Sequence, residues 1–284
     1  MKIVDINSIS DGYTHDGCFH ADDVMATVLL LSLNPSMKIH RVNFIDESIA
    51  SNESNIVYDV GLGRYDHHQQ DRKMNKYGFP YSAFGLLWED YGLLLLKKRG
   101  FKKEKEAFWK FREDVVSKID QGDNCGYENV EGFYENYAIK RFNASWYELK
   151  DNDKIQDEQF DKAVQYATLV FDNMLRKLFE EVEMPDKERK IFDSAIKHSK
   201  QGIAVLKENI PWRDFVKQEG CNVKIVISKN LRGGFNVTSV NSNVLKIVPN
   251  RYLSFVHPSG FMGVAKTLRN AKLAARNICL IKSC

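Results

Sequence analysis

Residues Val24 to Leu33 form an apolar run broken only by Thr27 and Ser32, set directly behind the acids of His20-Ala21-Asp22-Asp23. A helix here is apolar all round and is expected to be buried, with Asp22 and Asp23 near its start complementing its dipole. Two short β-rich runs follow. Residues 38–46, KIHRVNFID, alternate in part, and 55–60, NIVYDV, stop at Gly61 and Gly63. Residues 82–98 read as a helix capped by Ser82, and 104–119 as another that ends at the break near Gly122. Strands alternating with helices predict an α/β domain with a largely parallel sheet.

The segment from 157 to 182 spaces apolar residues at helical intervals between charges and predicts a long helix, after which MPDKERK offers a charged, Pro-containing boundary. Short strand candidates then follow in IAVLK, NVKIVIS, GFNVTSV and YLSFV, with a closing helix in KTLRNAKLAARNI. At 284 residues the chain exceeds one usual domain. The expected division is a first domain over 1–155, a connecting helix over 156–185 and a smaller α+β domain over 186–284. Charged residues at 28%, hydrophobic ones at 43% and only six prolines argue for a folded chain rather than a disordered one. The net charge of +3 gives no global field for nucleic acid, so such a partner needs a local patch. No apolar run is long enough to cross a bilayer, no signal peptide or Arg-rich transit segment is evident, and the five cysteines are scattered without CxxC spacing. A cytoplasmic location is expected.

Of seven histidines, four fall in two tight groups: His15 and His20 in THDGCFHADD, and His67 and His68 in RYDHHQ. A lone histidine is ordinarily a hydrogen-bonded or surface residue, and His40 and His198 are read that way. Imidazoles and carboxylates bind Mn²⁺, Fe²⁺, Co²⁺ or Zn²⁺, and a site mixing both with several carboxylates favours the harder end of that group, with Mn²⁺ the first expectation. His15, His20 and Asp22 lie in a turn entering a helix, and Asp59 lies at the carboxyl end of a strand, the edge where open α/β sheets bind ligands. A carboxylate there can bridge two cations roughly 3.5 to 4 Å apart, which makes Asp59 the bridging candidate. Among Asp66, His67 and His68, one imidazole could ligate while the others orient it or touch substrate. Cys18 is expected to pack.

The segments THDGCFHADDVMA, VYDVGLGRYDHHQ, YSAFGLLWEDYG, KIDQGDN and FVHPSGFMGVAKTL, in this order across nearly the whole chain, resemble the melanocyte-proliferating-gene (Myg) family of the DHH phosphoesterase superfamily. The resemblance implies a metal-dependent hydrolase in which 1–155 is a DHH-like catalytic domain and 186–284 binds substrate. By position it implies one cation on His15, His20 and Asp59, and a second on Asp22, Asp59, His67 and an aspartate of KIDQGDN. Asp120 is the first choice there and Asp123 the second. His68 would lie near the scissile phosphate, with Asp66 beside it as the other catalytic candidate. The family's Glu after the HxD element is Asp23 here, the stretch from Asp59 to Asp66 is short, and a glycine pair is reduced to Gly263 and Val264.

The implied activity is hydrolysis of a phosphodiester by water activated between two divalent cations, most naturally as a 3′ to 5′ exonuclease or oligoribonuclease on single-stranded RNA or short oligonucleotides. A small-nucleotide or pyrophosphate phosphohydrolase on the same centre is the first alternative, and a catalytically inactive metal- or RNA-binding protein the second. In the C-terminal domain, His257, Ser259, Gly260 and Lys266 of HPSGFMGVAKT and Arg232 of LRGGF could hold a phosphate, against the ordinary reading of Gly-rich turns between strands. No membrane partner is expected, and the oligomeric state is left open, a homodimer included.

Overall fold

The computed structural model describes residues 4–150, 154–241, 247 and 250–280. It divides into two compact units, Met1–Glu183 and Met184–Cys284. Cys284 lies outside the described residues.

The first unit is built on a three-stranded parallel sheet in the order β2-β1-β3, formed by β1 (Asp11–His15), β2 (Lys38–Val42) and β3 (Asn55–Val57). Asp11 pairs with Lys38 on one side and Asn55 on the other, so the carboxyl ends of all three strands point the same way. β2 is shorter than its alternating run because the segment beyond Val42 leaves the sheet. Between β1 and β2 lies α1 (Ala21–Leu33), whose residues are buried apart from Leu31 and Ser32. Its apolar circumference is matched by α1 lying against α3 (Ala83–Lys98) and α8 (Ile155–Glu183), while Thr27 Oγ1 lies 2.6 Å from the hydroxyl of Tyr58 beyond β3.

A short α2 (Glu47–Ala50) precedes β3. Ser82 caps α3 by accepting from Gly85 N. The helix expected over 104–119 is instead α4 (Glu104–Phe111), one π-helical segment at Arg112–Val116, and α5 (Ser117–Cys125), which runs past Gly122. α6 (Glu135–Lys140) and α7 (Trp146–Leu149) follow, each too short to announce itself by periodicity. α8 buries Phe160, Ala163, Ala167, Phe171, Leu175, Leu178 and Val182, spaced by three and four residues, in the first unit's core. The helix read as a connector is thus a wall of the first unit.

In the second unit Pro185 opens α9 (Pro185–Lys197), where its missing N–H costs no hydrogen bond. The Pro-containing boundary segment is therefore helical. Then come β4 (Ile203–Val205), α10 (Arg213–Glu219), β5 (Ile225–Lys229), β6 (Phe235–Ser239), β7 (Phe255–Val256), β8 (Met262–Ala265) and α11 (Leu268–Leu280). The sheet order is β4-β5-β6-β8-β7, with β4 and β5 parallel and the remaining pairs antiparallel. Ile225 and Ile227 join Ala271 and Ala275 of α11 on one face, while Val226 joins Phe192 of α9 and Trp212 on the other. Both faces are covered, so β5 reads as a continuous apolar run. Among the described residues no helix is long and apolar enough to cross a membrane.

Gly85 in the first turn of α3 is fixed by packing, because a Cβ there would overlap the Asp120 carboxylate. Gly85→Ala is expected to destabilise the first unit by about 1–3 kcal/mol, as overpacked interiors do. A lower urea midpoint at unchanged m checks it; an unchanged midpoint would count against this packing.

Candidate metal centre

The parallel sheet delivers His15 and Asp59 to the same edge. His15 is the last residue of β1, and Asp59 lies just beyond β3 with φ +57°, a left-handed conformation that aspartate tolerates better than most residues. The backbone is held there by Asp59 N donating to Tyr65 O at 3.0 Å. Leu62 N donates to Asp66 Oδ2 at 2.6 Å, and Gln69 Nε2 donates to the carbonyls of Leu62 and Gly63. This tight loop carries Asp59, Asp66, His67 and His68 on one scaffold.

One carboxylate reaches two imidazoles. Asp59 Oδ2 lies 3.3 Å from His15 Nε2, and Asp59 Oδ1 lies 3.0 Å from His67 Nε2. His15 Nε2 is also 3.3 Å from Asp23 Oδ2, and His67 Nε2 is 3.3 Å from Asp123 Oδ2 and 3.7 Å from Asp22 Oδ2. Among the described residues three groups could each hold a cation: His15 with Asp23 and Asp59, His20 with Asp22 and Asp123, and Asp59 with His67 and His68. His20 accordingly sits with Asp22 and Asp123 rather than in the His15 and Asp59 group to which position in the chain assigned it.

Asp120, the first choice by resemblance, is in none of the three groups. Asp120 is fully buried and accepts from Ser82 N at 2.9 Å, Ser82 Oγ at 2.8 Å and Asn75 Nδ2 at 2.9 Å, with Arg112 Nη2 at 3.6 Å. Its lone pairs are spent on holding the start of α3. Asp123, one turn on in α5, is the carboxylate that reaches His67, and its Oδ1 lies 3.9 Å from His20 Nδ1. Asp23, read as a helix-start acid beside Asp22, does both jobs: Oδ1 accepts from His20 N and Val24 N, while Oδ2 faces His15. The adjacent pair Asp22-Asp23 was the signal that could have found it. Asp66 accepts from His68 N at 3.0 Å and lies 2.7 Å from His68 Nδ1, so it orients that ring. Cys18, expected to pack, is exposed, and His40 lies outside the cluster at 2.7 Å from Asp11 Oδ1.

The donor set fits divalent cations. Asp22 Oδ1 and Asp23 Oδ2 are sealed from solvent without a hydrogen-bond donor, a costly state for anionic oxygens unless positive charge lies beside them. Four carboxylates, Asp22, Asp23, Asp59 and Asp123, share this space, and two divalent cations would balance their charge. Burial pushes the Asp22 and Asp23 carboxyls up, Asp59 adding to the first and Asp22 to the second. Burial and the neighbouring Asp22 push Asp123 up to about 9. For Asp59 burial is outweighed by hydrogen bonds from His15 and His67, which hold it down to about 2. Burial likewise disfavours the charged rings of His15 and His67, but Asp59 with Asp23 raises His15 to about 10, and Asp59 with Asp22 and Asp123 raises His67 to about 9.

The C-terminal candidates lie within the second unit. His257, Ser259 and Gly260 form the turn between β7 and β8, where Ser259 Oγ is 2.7 Å from His257 Nδ1 and Gly260 N donates to His257 O. Lys266 follows β8 and is exposed, and exposed Arg232 lies in the β5–β6 turn, whose Gly234 abuts the backbone of Ala265 and Lys266. A cavity of about 660 Å³ is lined by Arg232 together with Asn209, Asn230 and Ser254.

The fold and cluster define an α/β protein with a carboxylate–imidazole centre able to bind metal ions. Residues 13–247 match MYG1_exonuc, described as an uncharacterised protein family (UPF0160), and the chain belongs to this family. A MYG1 protein of Dictyostelium discoideum is 25% identical over 92% of this chain and 94% of that relative. One from Saccharomyces cerevisiae is 24% identical over 89% and 91%, and one from Chlamydia pneumoniae is 28% identical over 59% and 54%. No solved structure matches.

Two outcomes are expected from titrating the metal-free protein with Mn²⁺ by calorimetry. Because His15, His67 and Asp123 hold protons at neutral pH and ligands must lose them, uptake releases protons and affinity strengthens from about pH 6 to about pH 8. Asp123→Asn weakens Mn²⁺ binding by at least about tenfold, whereas Asp120→Asn leaves it within about threefold. The reverse order would restore Asp120 as the ligand.

Proposed function

We propose that the protein is a two-metal phosphodiester hydrolase of the DHH phosphoesterase type, acting on single-stranded RNA as a 3′ to 5′ exonuclease or oligoribonuclease. The observation that carries this reading is the single Asp59 carboxylate, whose two oxygens face separate imidazoles in two of the three candidate groups. That is the disposition of a ligand bridging two cations. The exonuclease designation in the family's name supports the same class of chemistry.

In this reading His15, Asp23 and Asp59 hold one cation, and Asp22, Asp59, His67 and Asp123 the other, with His20 beside Asp22 and Asp123. Donors limited to nitrogen and oxygen favour Mn²⁺, with Mg²⁺ or Co²⁺ as substitutes. When bound, the pair supplies an activated water and charge neutralisation at phosphorus. The chain's own part is positional. Asp66 fixes His68 through Nδ1, leaving Nε2 of that exposed ring for a phosphate oxygen, so Asp66 acts as a positioning residue and His68 as the group that touches substrate. The backbone around Asp59, tied by its N–H to Tyr65 O, positions the shared carboxylate. His257, Ser259, Gly260, Lys266 and Arg232 of the second unit are proposed as phosphate contacts.

The test compares end-labelled RNA, DNA, dinucleotides and pyrophosphate with Mn²⁺ and after chelation. RNA is expected to be shortened from its 3′ end, and Asp59→Ala to lower the rate by more than the roughly 10–100-fold that loss of an outer partner costs. Preferential hydrolysis of pyrophosphate or dinucleotides would favour the small-substrate alternative. Unchanged activity in Asp59→Ala, or after chelation, would remove the metal mechanism.

A further inference from the structure

The first unit carries a second feature that its metal cluster does not use. A cavity of about 870 Å³ is lined by Tyr127, Phe133, Tyr134, Tyr137, Lys140 and Arg141 among others, within the roughly 300–1,000 Å³ range of small-ligand sites. Phe133 is buried in the core and Tyr127 packs against it, but Tyr134 and Tyr137 belong to no core cluster. Tyr134 is 78% exposed and Tyr137 56%, while Trp146 and Tyr147 on the next helix are 79% and 65% exposed. α6 turns Asn136 and Ile139 inward, which leaves Tyr137 on the outer side. Single exposed aromatics are ordinary, but Tyr134 and Tyr137 are two on the wall of one cavity, which folding alone does not account for.

Positive charge is interleaved with these rings. Lys140 Nζ lies 5.1 Å from the centroid of Tyr127, and the Arg141 guanidinium lies 5.6 Å from that of Tyr137, with Nη1 donating to the Tyr137 hydroxyl at 3.2 Å. The wall also includes Glu128 and Glu148. Glu148 is engaged by Ser145 N and Oγ in the cap of α7.

The cavity is fastened to the metal centre at several points. Tyr127 lines it, and that ring lies 6.1 Å from the ring of His20. Asn143, also on its wall, accepts from Phe19 N at 2.9 Å and donates to Phe19 O at 2.8 Å, pinning it to the residue before His20. On the other side Gly122, next to Asp123, lets Asn136 of α6 approach so closely that a Cβ would overlap its Nδ2. A ligand in the cavity therefore lies beside the cations' ligands in a fixed relation to them.

We propose that this groove is a base-stacking track for single-stranded nucleic acid, holding the nucleotides next to the phosphate presented to the metal centre. The proposal rests on the phosphodiesterase reading above for its direction toward the cluster, and on the aromatic wall for the occupant. Stacking rings with lysine and arginine beside them bind a strand whose bases are unpaired, because every base offers a π-face and every linkage a negative charge. A centre built only for pyrophosphate has no use for such a wall. A duplex keeps its bases stacked inside and cannot offer them to it.

The variant Tyr134→Ala/Tyr137→Ala removes exposed rings and is expected to fold, which an unchanged thermal midpoint and Mn²⁺ affinity confirm. Binding is read by fluorescence anisotropy of a labelled oligo(A) RNA in EDTA, so that it does not depend on turnover. The variant is expected to bind at least about tenfold more weakly, from loss of two stacking contacts, and Tyr134→Phe/Tyr137→Phe to bind as the parent does. With Mn²⁺, kcat/KM on the RNA should fall by a similar factor, while hydrolysis of bis(p-nitrophenyl) phosphate, which spans no track, stays the same. Absence of oligo(A) binding by the parent protein, equal binding by the alanine variant, or equally tight binding of duplex RNA would each overturn the track. Absence of hydrolysis by the parent with ring-dependent binding intact would overturn the phosphodiesterase reading and leave the track standing.

Discussion

Four aspartates drawn into one small, largely buried space set the terms for the rest of the first unit. Like charges at such separation, out of water, repel strongly and tend to recapture protons, as the raised Asp22, Asp23 and Asp123 carboxyls show. Asp59 escapes because His15 and His67 approach it from either side. An uncompensated buried carboxylate costs several kcal/mol, so an arrangement that collects four is stable only where cationic charge is available to them. The protein supplies part of that charge as imidazolium and leaves oxygens such as Asp22 Oδ1 and Asp23 Oδ2 buried without a hydrogen bond. A group of carboxylates with that deficit could hold a metal ion.

Holding these groups in place falls to residues that never touch a ligand. Asp120 ties the start of α3 to α5 through Ser82 and to the loop at Asn75, while Arg112, buried in the π-helical segment, pairs with Glu89 at 2.8 Å and lies over the Tyr81 ring. Ala83 N of the same helix start donates to Asp22 Oδ2 at 3.3 Å. The brace and the cluster thus meet at the start of α3, where Ser82 holds Asp120 and Ala83 reaches Asp22. π-helical turns concentrate where a helix must re-aim its side chains, and here the turn lies between the packing half of the helix and the half that carries Asp123.

Activity on a polymer needs more than a hydrolytic centre, since the strand must be presented with its phosphate at the cations. The short helices α6 and α7 carry exposed rings, and the cavity wall with Tyr134 and Tyr137 also includes Tyr127, whose ring lies 6.1 Å from that of His20. The fixed hydrogen bonds of Asn143 to Phe19 make their position a property of the same loop that places His20. In the proposed reading, recognition and chemistry would be built into one unit from adjacent segments.

The buried helix behind His20, the strand ends at His15 and Asp59, the Ser82 cap and the clustering of His67 with His68 were all legible in the chain, because each depends on spacing within a few residues. The parallel sheet followed from alternating strand and helix, and the family from motifs in fixed order. What stayed hidden depends on rotation and long-range packing. Asp120 and Asp123 are three residues apart, and that step turns a helix by about 300°, leaving the two about 60° apart on the same side. Only the π-helical segment, which shifts the phase of everything after it, and the partners waiting at Ser82 and His67 decide which carboxylate braces and which faces the centre. Residue identity was enough to point to a cluster that could hold metal ions, but the choice between chemically identical neighbours belongs to tertiary packing, since nothing in a local pattern records what stands on the other side of the space.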